Sequence, residues 1–239
     1  MNKELLISEL KNININLTEK QIEQIEDFCL FLLEENKKYN LTAIREYEEV
    51  LLKHVYDSLT MIQAHDLSFE QTLLDIGSGA GFPGIILKIA FPKLKITLLD
   101  SNGKKTHFLE LVKQKFNLED LTIVNDRAEE YIKNKRESYD LVTARAVASL
   151  NVLLELAIPF LKVKGLFIAM KSDIKEELKL AKETSVFLNS HIQSVEELSL
   201  PIENSKRTLV TIKKTSATPN EYPRRYDQII KKPLKRTRK

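Results

Sequence analysis

A cluster of glycines near residue 80 carries the most specific chemical signal in this sequence. Four of the chain's six glycines lie in the segment Leu73-Leu-Asp-Ile-Gly-Ser-Gly-Ala-Gly-Phe-Pro-Gly84. Glycine is needed where the backbone takes a positive φ or lies close to a ligand, and here an apolar run with Asp75 near its end precedes the cluster. We therefore predict a buried strand, a cofactor-binding turn, and a helix that begins near Pro83. The alternative is a turn that serves tight packing alone.

The spacing of the glycines argues against a dinucleotide cofactor. A dinucleotide site has the pattern G-x-G-x-x-G, and Phe82 stands where that pattern requires its third glycine. The segment Gly77-Ser-Gly-Ala-Gly81 is instead G-x-G-x-G, which resembles the turn of S-adenosylmethionine-dependent methyltransferases. That cofactor has no phosphate, so the turn would approach its methionine part and its ribose.

Strands and helices alternate regularly around this turn, which predicts an α/β fold with a mostly parallel, doubly wound sheet. Short apolar segments predict strands over 72–76, 95–100, 121–125, 139–145, 165–171, 195–200 and 207–213. The stretches between them predict helices over 84–91, 103–116, 127–134, 149–162 and 173–189.

The ends of the chain differ from this central region. Residues 1–65 are predicted to form a helical extension, with a capping box at Thr18-Glu-Lys-Gln21 and a further helix over about 46–64. We expect a catalytic domain over 66–215. Residues 216–239 form a basic tail: from Pro223 onward the chain has eight Lys or Arg and a single acid, Asp227. Such a tail is either a solvated end or a phosphate-binding arm.

Composition limits the class of protein. No apolar stretch approaches the roughly 18 residues of a membrane span, and the N-terminus lacks the apolar region of a signal peptide. The single cysteine, Cys29, excludes an intramolecular disulfide and lies in an apolar segment. We therefore expect a cytoplasmic protein that does not enter a membrane.

Several further motifs, taken in order, make the chain similar to one family over nearly its whole length. They are Asn40-Leu-Thr-Ala-Ile44, His54-Val-Tyr-Asp-Ser58, the glycine turn, Asp126-Arg-Ala-Glu-Glu130, Ala144-Arg-Ala-Val-Ala-Ser149 and Tyr222-Pro-Arg224. This combination resembles the bacterial RsmG (GidB) family of ribosomal RNA guanine-N7 methyltransferases. One segment departs from the family: Tyr226-Asp-Gln-Ile-Ile230 replaces a glycine and a proline expected before Lys231-Lys-Pro.

The resemblance implies both an activity and a fold. The implied activity is transfer of a methyl group from S-adenosylmethionine to N7 of a guanine in the 530 loop of 16S ribosomal RNA. The implied fold is a Rossmann-like methyltransferase fold with a mostly parallel seven-stranded sheet and an antiparallel terminal strand. The small ribosomal subunit would be the partner, and we expect the protein to be a monomer.

The resemblance also implies a set of cofactor-binding residues at the carboxyl ends of the strands, where open parallel sheets bind ligands. The set is Gly77, Gly79, Phe82, Asp100, Ser101, Asn102, Ala128, Glu129 and Arg145. A purely structural role remains an alternative for three positions. The segment at Asp100 could only cap a helix, Glu129 could be an ordinary first-turn acid, and Arg145 could be a structural ion-pair partner.

A second set of residues is predicted to hold the RNA. The candidates for orienting the base are Asn40, Asp57, Arg145 and Lys171, and those for binding the RNA are Thr42, His54, Ser58, Lys206, Arg207, Arg224 and Arg225. Alternatives remain here too. Asn40 and Thr42 could form a local cap, His54 and Asp57 an interhelical polar contact, and Lys171 a solvated charge.

The chemistry requires little of these side chains. Guanine N7 has a lone pair and carries no proton, so we expect no general base, and catalysis by proximity, orientation and electrostatics. The sequence contains no metal-ligand spacing among its four histidines. Two other functions stay open: a methyltransferase that acts on a small molecule or a protein, and a non-catalytic RNA-binding assembly factor that senses S-adenosylmethionine.

Overall fold

The computed structural model describes residues 1–235, and in that part of the chain seven strands form one sheet. Five of these strands run parallel to one another. The strands are β1 (Thr72–Ile76), β2 (Lys95–Asp100), β3 (Leu121–Asn125), β4 (Tyr139–Arg145), β5 (Leu161–Lys171), β6 (Ser190–Ser199) and β7 (Lys206–Lys214).

Ten α-helical segments accompany the strands in the described region. They are α1 (Lys3–Asn12), α2 (Glu19–Tyr39), α3 (Tyr47–Val50), α4 (Asp57–Leu59), α5 (Gly84–Ala90), α6 (Gly103–Lys115), α7 (Ala128–Tyr131), α8 (Leu150–Ala157), α9 (Glu177–Phe187) and α10 (Tyr226–Lys231).

The sheet has the order β3-β2-β1-β4-β5-β7-β6. Strands β1 to β5 pair in parallel, whereas β7 runs antiparallel to both β5 and β6. The order reverses between β1 and β4, and a crevice forms there at the carboxyl ends of the parallel strands. The predicted seven-stranded, mostly parallel sheet with an antiparallel terminal strand is confirmed.

The N-terminal helices pack directly on the sheet layer. Thr18 caps α2 in a reciprocal box with Gln21, as predicted. Phe28 and Leu32 of α2 are fully buried in the same core cluster as Phe108 of α6. The ring of Phe28 also lies 5.5 Å from that of Phe82 in the glycine turn. The helical extension and the sheet therefore share one core.

Two predicted helices are less regular than expected. The predicted helix over 46–64 is a composite: α3 is followed by a π-helical stretch, Leu51–Tyr56, then by α4 and a 3₁₀ turn, Thr60–Gln63. The predicted helix over 149–162 is wrong at its end, because α8 stops at Ala157 and a 3₁₀ turn through Pro159 leads into β5. Proline lacks the amide hydrogen that a continuing helix requires.

The C-terminal segment folds back onto α8. Arg224 makes an ion pair with Glu155, which is only 1% exposed, and Ile229 of α10 joins the core on that side of the sheet. The first part of the predicted basic tail is therefore anchored to the fold. The last four residues of that prediction, 236–239, lie outside the described residues.

Candidate active site

The glycine turn leaves β1 and begins α5. Gly77 has φ +72°, and a Cβ at this position would stand 2.5 Å from Val147 Cγ2. Gly84 packs more closely still, since its Cβ would stand 2.2 Å from Leu98 Cδ2. Only glycine fits both places, the first for its conformation and for space, the second for space alone. The turn is thus fixed by the strands and loops beneath it.

Two carboxylates hold the turn in place through backbone amides. The amide of Gly84 donates to Asp75 Oδ2 at 3.0 Å, and the amide of Gly79 donates to Asp100 Oδ2 at 2.9 Å. The other oxygen of Asp100 accepts from the amide of Asn102 at 2.8 Å. Each carboxylate therefore ties the turn to the end of a strand.

Asp75 is completely buried, and its Oδ1 has no hydrogen-bond partner among the described residues. Burial is the main influence and raises the pKa of Asp75 to about 7, although the Gly84 amide and the Arg145 charge both oppose that rise. The chain thus keeps a poorly solvated carboxyl directly beneath its glycine turn.

Two cavities meet at this turn, and Gly77, Lys105 and Ala146 line both of them. The first cavity, about 550 Å³, lies between the N-terminal helices, the turn and the ends of β4, β5 and β7. The second cavity, about 320 Å³, lies over the ends of β2 and β3 and the start of α7. An elongated ligand could pass from one cavity to the other across Gly77.

An aromatic and charged cluster forms the wall of the first cavity. The His54 ring stacks on Phe82, with centroids 4.4 Å apart, and the Arg145 guanidinium lies 5.4 Å from the Phe82 centroid. Asp57, only 5% exposed, binds Arg145 at 2.9 Å and Arg207 at 3.2 Å. The composite helix is thereby tied to both β4 and β7.

Two groups lie 3.1 Å from His54 Nδ1: Arg145 Nη2, which can only donate, and the carbonyl of Lys53, which can only accept. That carbonyl already accepts from Arg145 Nη1 at 2.9 Å, so we assign the lone pair of Nδ1 to Arg145. The ring hydrogen is then on Nε2, which lies 3.0 Å from Thr42 Oγ1. Burial first, and next the Arg145 charge, lower the pKa of His54 to about 3. His54 is therefore a neutral donor to Thr42.

Most of the predicted cofactor residues line one of these cavities. Gly79, Phe82 and Arg145 line the first, and Gly77 lines both. The second cavity takes in Asp100, Ser101, Ala128 and Glu129. Asn102 lines neither: its side chain accepts from the amides of Lys104 and Lys105 and caps α6, which is the alternative that the sequence left open.

The residues predicted to orient the base or bind RNA divide into two groups. Thr42, His54, Asp57, Arg145, Lys171 and Arg207 all line the first cavity. The others lie elsewhere. Asn40 ends α2 in a left-handed conformation, with φ 51°, and Ser58 is fully buried and donates to the carbonyl of His54. Lys206 and Arg225 are exposed.

The geometry does not support the prediction that Arg224 contacts phosphate. Its Nε and Nη2 donate to the two oxygens of Glu155, each at 2.7 Å, and its Nη1 donates to the carbonyl of Lys232. The donors of this guanidinium are occupied by groups within the fold, and a phosphate would have to displace a buried carboxylate to reach it.

Sequence reasoning missed several lining residues, among them Leu41, Lys105, Ala146, Val147, Met170 and Tyr226. The sequence contains a signal for Lys105, since this residue follows the Asn102 cap on a helix that starts at the cavity edge. It contains no such signal for Tyr226, because the position of Tyr226 depends on the pair between Arg224 and Glu155, which are 69 positions apart.

Two further properties concern the described residues alone. No group of His, Cys, Asp and Glu among residues 1–235 could hold a metal ion. No helix in that region is both long and apolar enough to span a membrane.

Comparison with known proteins gives consistent matches in sequence. Residues 21–210 match the family model of rRNA small subunit methyltransferase G. The ribosomal RNA small subunit methyltransferase G of Oceanobacillus iheyensis is 46% identical over 237 residues, which cover 98% of this chain and 100% of the relative. The protein of that name from Bacillus subtilis is 43% identical, covering 98% of this chain and 99% of the relative.

Comparison with solved structures supports the fold. A precorrin-6y C5,15-methyltransferase from Geobacter metallireducens superposes with a TM-score of 0.52 at 17% identity, covering 66% of this chain and 87% of that one. TYW2 of M. jannaschii, solved in complex with AdoMet, gives a TM-score of 0.52 at 12% identity, covering 66% and 74%. At these identities the likeness concerns the Rossmann-like methyltransferase fold alone.

Proposed function

This chain belongs to the rRNA small subunit methyltransferase G family, and we propose that it transfers a methyl group from S-adenosylmethionine to N7 of a guanine in the 530 loop of 16S ribosomal RNA. It is an S-adenosylmethionine-dependent methyltransferase of small-subunit ribosomal RNA. One observation carries the mechanism: two cavities with different linings meet at the glycine turn.

The second cavity fits the adenosine part of the cofactor. Each oxygen of Asp100 accepts one backbone amide and keeps a lone pair for a ribose hydroxyl. Leu99, Ala128 and Leu156 supply apolar surface for the base. We assign Gly77, Asp100, Ser101, Ala128 and Glu129 to this half of the site. Asn102 acts through its amide, which positions Asp100.

The first cavity fits the methionine part of the cofactor and the target base. We assign Gly79, Phe82 and Arg145 to this half. When bound, S-adenosylmethionine supplies a methyl group on a positively charged sulfur. N7 needs no base, and the lining agrees with that requirement: both nitrogens of neutral His54 are occupied, and Asp57 is paired with two arginines. These side chains orient the reactants and exclude water.

Thr42 is the candidate for recognising guanine. Its Oγ1 accepts from the amide of Ile44 at 3.2 Å and from His54 Nε2, so its own hydrogen is available as a donor. The Hoogsteen edge of guanine presents two acceptors, O6 and N7, and N7 must stay free to react. A hydroxyl that donates to O6 satisfies both conditions, whereas adenine offers a donor at that position.

The remaining candidates have supporting roles. Asn40 begins the connector that carries Thr42, and Ser58 holds the carbonyl of His54. Lys171 binds the carbonyl of Ala148 at 3.0 Å and Glu177 at 3.1 Å, and so secures the loop after β4 at the cavity edge. Asn40, Ser58 and Lys171 position the residues that orient the base, and Asp57 does so through Arg145.

RNA phosphates are assigned to the exposed cations near the mouth of the first cavity and in the C-terminal segment. Lys206 and Arg225 are exposed, and Arg207 borders the first cavity while bound to Asp57. In this scheme residues 1–65 form one wall of the RNA site, residues 66–215 form the methyltransferase domain, and residues 216–239 add basic charge. The protein would act in the cytoplasm as a monomer.

The deciding experiment offers the purified protein tritiated S-adenosylmethionine together with 16S RNA or small subunits from a strain that lacks the enzyme. The expected product is labelled N7-methylguanosine within the 530 loop. Asp100→Asn should bind the cofactor less tightly, since one ribose-facing acceptor becomes a donor.

Two results would contradict the proposal. One is folded protein that binds S-adenosylmethionine but labels neither the RNA nor the subunits. The other is label in small molecules or proteins rather than in RNA.

A further inference from the structure

Lys105 is a charged side chain at the junction of the two cavities. It is the third residue of α6, is only partly exposed, and lines both cavities. Its Nζ makes no hydrogen bond or ion pair to any residue between 1 and 235. A Cβ built on Gly79 would stand 3.9 Å from this nitrogen, so Lys105 lies directly beside the glycine turn.

Every other lysine or arginine that lines either cavity has an acidic partner within the fold. In the first cavity Arg145 and Arg207 share Asp57, and Lys171 binds Glu177. The same holds for Lys53, which binds Glu49 and Glu203, and for Arg127, whose Nη1 is 3.7 Å from Glu129 in the second cavity. Lys105 therefore supplies the unneutralised positive charge in this part of the described chain.

S-adenosylmethionine carries one negative group, the carboxylate of its methionine part. We propose that Lys105 binds that carboxylate, an assignment that rests on the proposed function. The methionine part is assigned to the first cavity, and Lys105 lines that cavity beside Gly79, which belongs to the same half of the site. A charge-assisted hydrogen bond from an otherwise unpaired ammonium is stronger than a neutral one, and no existing ion pair has to be broken to form it.

An RNA phosphate is the other anion that could reach such a cation. The position favours the cofactor, because Lys105 is partly buried against Gly79, whereas the exposed cations Lys206 and Arg225 offer phosphates a solvated contact. If Lys105 binds the cofactor carboxylate, its loss should weaken binding of S-adenosylmethionine. If it binds a phosphate, its loss should weaken binding of RNA.

The test measures binding of two ligands by isothermal titration calorimetry. S-adenosylmethionine has the carboxylate, whereas 5′-methylthioadenosine keeps the adenosine and a neutral methylthio group but lacks the sulfonium charge and the amino-acid part. For Lys105→Ala we expect the Kd of S-adenosylmethionine to rise about tenfold, as for loss of one charged hydrogen bond. The Kd of 5′-methylthioadenosine should change less than twofold, and Lys105→Arg should recover part of the loss.

Lys104→Ala is the matched control, because Lys104 precedes Lys105 on α6 and is exposed. It should leave both constants within twofold of the unaltered protein. Equal losses for both ligands in Lys105→Ala would overturn the assignment, and so would an unchanged Kd for S-adenosylmethionine with a raised KM for RNA. Failure of the unaltered protein to bind S-adenosylmethionine would instead overturn the proposed function itself.

Discussion

At the scale of single residues, burial shifts two titratable groups of the site toward their uncharged forms. It raises the pKa of Asp75 to about 7 and lowers the pKa of His54 to about 3. Desolvation is the largest cause in both cases, and the Arg145 charge then opposes the shift of Asp75 and adds to that of His54. Arginine, lysine and paired carboxylates therefore carry the fixed charges of the site.

The shifted pKa of Asp75 predicts a specific pH dependence of stability. An unfolded aspartate has a pKa of about 3.9, so between about pH 4 and pH 7 the folded protein binds the extra proton. The contribution of this proton to the free energy of unfolding is therefore largest at low pH. It falls as pH rises toward 7, by at most about 4 kcal/mol. Asp75→Asn cannot titrate and should lose this decline.

Urea unfolding at pH 5 and pH 8 measures the difference. The free energy of unfolding should drop less between the two values in Asp75→Asn than in the unaltered protein. This comparison uses the slope with pH, so a constant loss of stability from the substitution does not affect it. The same pH slope in both proteins would contradict the shifted pKa.

Thr42 provides a second prediction at this scale. Thr42→Val keeps the shape of the side chain but removes the hydroxyl, and should lower kcat/KM for small-subunit RNA by roughly ten- to a hundredfold, the usual cost of an unmet polar group. Thr42→Ser should retain most activity, and neither change should alter the Kd of S-adenosylmethionine.

Replacing the target guanosine by 2-aminopurine riboside in reconstituted subunits isolates the contact, because that base has no O6. The unaltered enzyme should be slow on this substrate, and Thr42→Val should be no slower. If Thr42→Val still imposed its full loss on the base without O6, the hydroxyl would be acting on the protein and not on guanine.

At the scale of elements, the sequence predicts the parallel strands far better than the helices around them. The predicted bounds of β1 to β4 agree with the structure to the residue, because each of these strands is a short, mainly apolar run with clear ends. Strand β5 begins four residues earlier than predicted, where Lys162, Val163 and Lys164 are all exposed and a single apolar residue between two lysines does not indicate a buried strand. Apolar spacing indicates which face is buried, and it does not specify hydrogen-bond register.

The same limit explains what was missed in the site. The apolar positions of 46–64 predict a helix, but they do not reveal the π-helical stretch that carries His54. Asp57 is predicted as a polar residue of the site, yet its partner Arg207 lies 150 positions away and is found only once β7 is known to pair with β5. Contacts of this kind depend on topology, which local patterns do not encode.

The C-terminal segment provides a prediction for one element. Glu155 is buried and accepts three hydrogen bonds from Arg224, so Glu155→Ala leaves a cation without its partner and should lower the free energy of unfolding by about 3–5 kcal/mol. The Kd of S-adenosylmethionine should also rise, because Tyr226 borders the second cavity.

Asp227→Asn is the control, since it removes a pair in which the Arg225 side chain is 83% exposed. Exposed pairs contribute little, so this change should cost less than about 1 kcal/mol. Urea unfolding and limited proteolysis of residues 216–235 report the two effects. Equal stability of the two variants would mean that the segment is not held by Glu155.

At the scale of the whole molecule, topology concentrates function on one edge of the sheet. Strands β1 to β5 all end there, and β7 starts there because it runs antiparallel, with Thr208 paired to Lys171. Lys206, the exposed first residue of β7, therefore lies near the mouth of the first cavity. The opposite edge has basic residues too, including Lys93 just before β2, so net charge alone does not mark the RNA face.

This polarity predicts how RNA binding depends on salt. Each phosphate neutralised by a cation releases counterions, so removing one contact should reduce the slope of log K against log salt by about one. We expect that change for Lys206→Ala and not for Lys93→Ala, which removes the same charge from the opposite edge. Fluorescence anisotropy with a 530-loop RNA over a salt series measures both slopes. Because the two variants have identical net charge, equal slopes would show that attraction is spread over the whole surface, whereas a difference would assign it to the edge where the strands end.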